Sequence, residues 1–337
     1  MTESSNRWAL ILAGGAGTRL SALTTTRGGG HVPKQYCSLN GGPSLIEDTV
    51  ARAKALVPEH RVVAVVAAEH RRYWRGGILG MRSENLVVQP SNRGTATGIL
   101  LGAAAIFERD PSASVALLPA DHHVTQESVL RASLERALKA VDDEQVPITL
   151  LGVRPDHADP ELGYIVRGAP LRDGGFHIAR FVEKPGSADA AALVAQSALW
   201  NVFIVAARVR ALLDLIARRY PTVVQSVLDL TSRNGSELEL RRVYDRLPSI
   251  DFSRDVVEGA DVPLAVLPVP SCGWSDLGTP TRLAECLEHI GARRPVDRLA
   301  RSTVPRPSLA DAHAASLRID DTRRHMPHAA AAAVQIA

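Results

Sequence analysis

Residues 8–36 read WALILAGGAGTRLSALTTTRGGGHVPKQY. The apolar run Ala9–Ala13 is followed at once by Gly14, Gly15 and Gly17, then by Thr18 and Arg19, and Lys34 stands directly after Pro33. The run is strand-sized, and glycines free the backbone for turns that a Cβ would block. The stretch therefore reads as a buried strand ending in a loop whose N–H groups reach phosphate oxygens. Two standard phosphate loops do not match it. The dinucleotide fingerprint needs a glycine where Leu20 stands, and the P-loop needs Gly-Lys-Ser/Thr. For the glycines alone, a tight strand-to-helix turn without a ligand is the alternative.

Outward from this stretch the chain keeps one rhythm. Ala9–Ala13, Val62–Ala68, Leu86–Gln89, Val115–Leu118 and Ile148–Val153 read as strands, with helices over Ser44–Leu56, Ala96–Glu108 and Ser128–Val141 between them. That alternation predicts an α/β fold, a Rossmann-like, mostly parallel sheet with helices on both faces. Ligands of such sheets sit beyond the carboxyl ends of the strands. Polar clusters stand at those places: GGAGTR after the first strand, QPSNRGT after the third and PADHH after the fourth. From Gly152 to about residue 195 the strands shorten, which predicts an additional substrate-side lobe. Ala207–Tyr220 reads as a helix, and a late strand starts at Val262. Residues 291–337, rich in Arg, Pro and Ala, read as a poorly ordered tail.

Composition narrows the function classes. A chain of 337 residues with 45% hydrophobic content buries a large core. The net charge of +3 and the 4% aromatic content argue against a nucleic-acid stacking surface or a polybasic membrane patch. The apolar runs are strand-sized, the amino terminus lacks the build of a signal peptide, and the three cysteines are scattered and odd in number. We expect a cytoplasmic protein with no nucleic-acid or membrane partner, and homo-oligomerisation stays open. Of thirty-nine basic residues only four are lysines. Two of these, Lys34 and Lys184, fall in motifs, where a compact ammonium serves differently from a planar guanidinium.

LAGGAGTRL, PKQY, QPSNRGTA, PADHH, GYIVRG, FVEKPG, LWNVFIV and GWSDLGT occur in that order between residue 8 and about residue 285. This series resembles the sugar-phosphate nucleotidyltransferases, most closely the mannose-1-phosphate guanylyltransferases. The resemblance implies a glycosyltransferase-A-like catalytic domain over 1–290, with a nucleotide half to about 150 and a sugar-phosphate half beyond it. It also implies GTP and mannose 1-phosphate as substrates, and Mg²⁺, or Mn²⁺ in its place, as the metal.

The chemistry suits such residues. A phosphate monoester has a second pKa of about 6, so a sugar 1-phosphate is already an ionised nucleophile near neutrality and needs no general base. What remains is to hold two polyanions and neutralise the charge moving onto pyrophosphate. By resemblance, Leu12, Ala13, Gly14, Gly15, Gly17 and Thr18 line the triphosphate, and Arg19 reaches its β and γ phosphates. Lys34 places a charge at the α-phosphate. Gln89, Asn92, Arg93, Gly94 and Thr95 meet the nucleotide, and Asp121 and Asp276 hold the metal. Gly163, Glu183, Lys184 and Asn201 take the sugar phosphate. Each has a plainer alternative: a solvated loop lysine for Lys34, a helix cap for Asp121, a turn for Asp276, an exposed ion pair for Glu183 and Lys184. Trp200 by itself reads as core, His31 as a loop residue, and the adjacent His122 and His123 diverge too much for a zinc pair.

The chain departs from its relatives at Ala120, where many carry serine, at TAT (Thr95–Thr97) for TAP, at LGYI for GYGYI and at WNVFIV for WNSGIF. The last two fall on the sugar side. A manno-heptose or glucose type of sugar 1-phosphate with another nucleotide is therefore an alternative, and a non-catalytic sugar-nucleotide-binding subunit is a third reading.

Overall fold

The computed structural model describes residues 6–17, 20, 24, 31–77, 79–233, 235–290 and 308–309. Thr18 and Arg19, and all of the expected tail except Ser308 and Leu309, lie outside the described residues.

Nine strands form one sheet: β1 Arg7–Ala13, β2 Val62–Ala67, β3 Leu86–Gln89, β4 Ser114–Pro119, β5 Ile148–Val153, β6 Tyr164–Pro170, β7 Phe176–Val182, β8 Leu199–Arg208 and β9 Ala265–Val269. Their spatial order is β3-β2-β1-β4-β8-β5-β9-β7-β6. The α/β class is as the sequence reads, and the first five strands start and stop within a residue or two of expectation. The sheet is mixed, however. β3, β2, β1 and β4 run parallel, β8 runs antiparallel between β4 and β5, β9 returns parallel to β5, and β7 pairs antiparallel with β9 and β6. Connection length accounts for the β6–β7 pair. Parallel neighbours need a crossover, supplied by helices in the first half, whereas the short link between β6 and β7 permits only a hairpin.

The helices are α1 Leu45–Lys54, the one-turn α2 Arg71–Trp74, α3 Thr95–Arg109, α4 Glu127–Asp142, α5 Ser187–Ala195, α6 Val209–Ala217, α7 Pro221–Ser232, α8 Glu237–Arg246 and α9 Pro280–His289. β2 and β4 are buried along their whole length. On one face Leu10, Val63, Val65, Leu117 and Leu150 share a core with Ile99, Leu100 and Ala103 of α3, Leu212 of α6 and Val227 of α7. α4 lies against β4, β5, β8 and β9 and contributes nothing to that core, so it covers the other face. Its buried residues Leu130, Leu134, Ala137, Leu138 and Val141 recur at helical spacing.

Two compact units divide the described chain along lines other than the expected halves. One comprises residues 1–15 and 46–276 and holds the whole sheet; the other comprises 16–45 and 277–337. In the second unit, Ser38 bridges Ser44 and Ser308, and the Leu309 N–H donates to the Ser38 carbonyl at 2.9 Å. Among the described residues no helix is long and apolar enough to cross a membrane.

Candidate active site

The sheet-bearing unit gathers most of the expected residues at the carboxyl ends of its strands. β1 and β4 pair in parallel up to Leu12 and Pro119, so the loops carrying Gly14 and Asp121 leave the same edge side by side. The Ala120 N–H donates to the Leu12 carbonyl at 3.0 Å and extends that pairing. From β3, the Gln89 side-chain amide donates to the Gly14 carbonyl at 3.2 Å, and it lies close enough that a Cβ on Gly14 would overlap it.

The segment after β3 is built around Gly94. Gly94 has φ +84°, and a Cβ there would sit 2.2 Å from the Ile250 carbonyl oxygen, so both conformation and space demand glycine. Asn92 Oδ1 accepts the Gly94 N–H at 2.9 Å. Ile250 accepts from the Ala96 N–H and donates to the Arg93 carbonyl, both at 3.0 Å. Thr95 uses its hydroxyl oxygen to accept the Phe252 N–H at 2.7 Å. Ser91 Oγ and Arg93 Nε are buried without a hydrogen-bond partner. Buried polar atoms are nearly always paired, and orphans in a loop at a strand end fit a segment that takes a polar ligand.

Asp121 and Asp276, far apart in sequence, stand on adjoining backbone. His123 and Ser275 exchange two backbone hydrogen bonds of 2.9 and 3.0 Å as an antiparallel bridge, which sets Asp276 opposite His122, the residue after Asp121. Trp274 clamps the junction: its indole N–H donates to His122 Nδ1 at 3.3 Å. His122 then carries its proton on Nε2, which lies 3.8 Å from Asp121 Oδ1. Among the described residues no group of three or more His, Cys, Asp or Glu could hold a metal. Two half-buried carboxylates provide hard oxygen donors of the kind that suits a cation completing its shell with phosphate and water.

The sugar-side residues converge tightly. The Asn201 N–H donates to the Gly163 carbonyl at 2.8 Å. A Cβ on Gly163 would lie 2.6 Å from Glu183 Oε2 and 3.5 Å from Asn201 Cβ. Lys184, at φ +49°, places Nζ 3.8 Å from Glu183 Oε1. Burial pushes the Glu183 carboxyl up to about 7, with Lys184 opposing and Asp251 and Glu258 reinforcing the rise. Trp200 is buried in an apolar cluster with Leu162, Tyr164 and Leu193, as its core reading has it.

Sequence reasoning passed over residues 250–258. Phe252–Val257 form a six-residue π-helical turn, opened by Asp251, whose carboxylate accepts the Arg254 N–H at 2.9 Å. Ile250 and Phe252 hold the 93–96 segment, and Glu258 Oε1 accepts the Glu183 N–H at 3.3 Å. This one piece therefore ties the nucleotide loop to the sugar-side residues. A single π turn follows neither helical nor strand periodicity, so no pattern announces it.

In the other unit, Gly17 at φ +63° meets Lys34, whose backbone nitrogen would be 2.9 Å from a Cβ on the glycine. Lys34 opens the turn Lys34–Tyr36 and is buried. His31 bonds to Thr24 Oγ1 at 2.8 Å and to the Ala16 carbonyl at 3.1 Å, so it braces this loop. Burial pushes the Cys37 thiol up to about 12, against the pull of the Lys34 charge.

The sequence profile of a family described as nucleotidyl transferase matches residues 8–293. A mannose-1-phosphate guanylyltransferase of Escherichia coli strain K12 is 28% identical over 304 residues, covering 85% of this chain and 60% of its own length. The xanthan biosynthesis protein XanB of Xanthomonas campestris pv. campestris strain B100 is 28% identical over 290 residues, covering 84% and 60%. The chain thus spans about 60% of the length of these curated relatives. A solved structure from Thermus thermophilus, described as a mannose-1-phosphate geranyltransferase, superposes with a TM-score of 0.71 at 29% identity, covering 87% of this chain and 81% of that one. With the ordered motifs, the α/β sheet and this match along most of its length in agreement, the chain belongs to the nucleotidyl transferase family.

Proposed function

We propose that the protein transfers GMP from GTP to α-D-mannose 1-phosphate, giving GDP-mannose and pyrophosphate. The observation that carries this reading is the convergence of Gly163, Glu183 and Asn201 beside Lys184, linked by residues 250–258 to the loop that starts α3. The guanylyltransferase relatives support the choice of base and sugar.

In the reaction, an ionised oxygen of the sugar phosphate attacks the α-phosphorus in line. The bond from that phosphorus to the bridging oxygen of the β-phosphate breaks, and pyrophosphate leaves with the electron pair. No proton has to be removed, which accords with a site that offers donors, cations and carboxylates. Glu183 accepts from a sugar hydroxyl and Lys184 neutralises the sugar phosphate. Lys34 takes the role of a point charge at the α-phosphate, and Arg19 that of a ligand for the departing pyrophosphate. Gly14 and Gly15 present backbone N–H groups to the triphosphate, and the 91–95 loop reads the base. Asp121 and Asp276 would hold Mg²⁺, which supplies charge neutralisation as the leaving group departs.

The experiment is pyrophosphate release with Mg²⁺ across GTP, UTP, dTTP, CTP and ATP against mannose, glucose and heptose 1-phosphates. Release concentrated with GTP and mannose 1-phosphate is expected. Release in a different combination would refute the substrate assignment, and no release in any would refute the activity.

A further inference from the structure

Phe203 is the one residue of β8 that has left the extended conformation: its φ is +57° in the middle of a strand. For a bulky side chain that region is a true outlier, and such strain persists only where the surroundings over-determine it. Three contacts do so here. The Phe203 N–H donates to Asn201 Oδ1 at 3.1 Å. The pairing of β8 with β5 shifts register between Leu150 and Gly152, so the strand bulges opposite this residue. The Phe203 ring meets the Phe252 ring edge to face at 6.2 Å between centroids. Phe252 belongs to the π turn, and its own N–H is held by Thr95 at the start of α3.

The first contact has a direct chemical consequence. Because Oδ1 is drawn toward the Phe203 N–H, the amide is held in one orientation and its NH₂ group faces the other way, available to a ligand as a donor. The second consequence is steric. The half-buried Phe203 follows Asn201 by two residues, and its ring packs on Phe252, whose N–H is held by Thr95 of the nucleotide loop. We propose that Phe203 is a specificity-determining residue for the sugar 1-phosphate: it turns Asn201 toward a hydroxyl oxygen of the sugar and walls the sugar pocket with an aromatic edge. This rests on the reading under Proposed function, whose acceptor pocket it refines.

Three variants test it: Phe203→Gly, which removes ring and strain; Phe203→Ala, which removes the ring and keeps a Cβ at positive φ; and Asn201→Asp, which still accepts the Phe203 N–H but presents no donor. Mannose, glucose and heptose 1-phosphate binding is measured by calorimetry, GTP binding likewise, and both KM values by pyrophosphate release. Both Phe203 variants are expected to weaken the preferred sugar phosphate about tenfold and to narrow its margin over the others, with GTP affinity within about twofold of wild type. Asn201→Asp is expected to lose the same sugar affinity while melting near wild type, and the Gly variant to melt above the Ala variant. Unchanged sugar affinity in both Phe203 variants, or an equal loss for GTP, overturns the inference while wild-type turnover leaves the guanylyltransferase reading standing. A wild type that binds none of the sugar phosphates overturns both.

Discussion

Gly163→Ala is the sharpest probe of the sugar-side geometry, because the substitution adds a single methyl group at a position whose backbone tolerates alanine. The new Cβ would lie 2.6 Å from Glu183 Oε2 and 3.3 Å from Phe181 Cζ. Ordinary van der Waals contact begins near 3.4 Å, so the carboxylate has to retreat by roughly 0.8 Å. The new methyl is also bounded by Phe181 Cζ and by Asn201 Cβ at 3.5 Å, so the Glu183 side chain is the group that gives way. Overpacking of this kind costs about 1–3 kcal/mol, at ~1.4 kcal/mol per tenfold change in an equilibrium constant. We therefore expect a loss of stability at the low end of that range, because the obstacle is mostly a side-chain end. The larger effect falls on function. A group displaced by this distance no longer meets a sugar hydroxyl at hydrogen-bond length, so the KM for the sugar 1-phosphate rises about tenfold to a hundredfold while the KM for GTP stays within about twofold. Steady-state pyrophosphate release with each substrate varied in turn, alongside a thermal melt, reads both quantities. An alanine variant with wild-type KM for the sugar phosphate would show that Glu183 does not hold the acceptor where we place it.

Four further outcomes are expected. Glu183 has a folded-state pKa of about 7 against an ordinary value of 4.5, so its burial favours the protonated form. Stability is then highest below the ordinary carboxylate pKa and falls as pH rises through about 4.5 to 7, by up to about 3 kcal/mol; the slope should vanish in Glu183→Gln, as denaturant melts against pH would record. If ionised Glu183 accepts the sugar hydroxyl, the KM for the sugar phosphate also falls across pH 6 to 8 in the wild type only; a profile unchanged by Glu183→Gln removes that role. Asp121→Asn is expected to fold normally and lose turnover by at least about a hundredfold, because one carboxylate of the pair joined through His123 and Ser275 is neutralised; wild-type rates at limiting Mg²⁺ would take Asp121 out of the mechanism. Lys184→Ala should raise the KM for the sugar phosphate more than that for GTP, and an effect confined to GTP would reassign the lysine.

Much of the nucleotide side was legible in the linear chain because it is local. The run Ala9–Ala13 with its glycines, and the polar segments after the third and fourth strands, each follow a strand directly. In a parallel α/β sheet, loops at the carboxyl ends of the strands open on one edge, so Gly14, Gln89 and Asp121 are expected at that edge, while the strand order that puts β4 beside β1 comes from the tertiary structure. Resemblance added the separated pieces, Asp276, Glu183 and Asn201, without geometry. What the tertiary structure decided has long sequence separation or no period. The insertion of β8 antiparallel between β4 and β5 pairs it with strands far away in the chain, and no pattern within β8 announces it. The bridge of His123 to Ser275, the wedge of Ile250 against Gly94, the positive φ of Phe203 and the raised pKa of Glu183 all arise from residues that chain order keeps far apart. Periodicity and glycine placement determine strands, turns and the edge where ligands gather; packing alone decides which side chains face one another there, because burial and close approach belong to the assembled chain and to no segment of it.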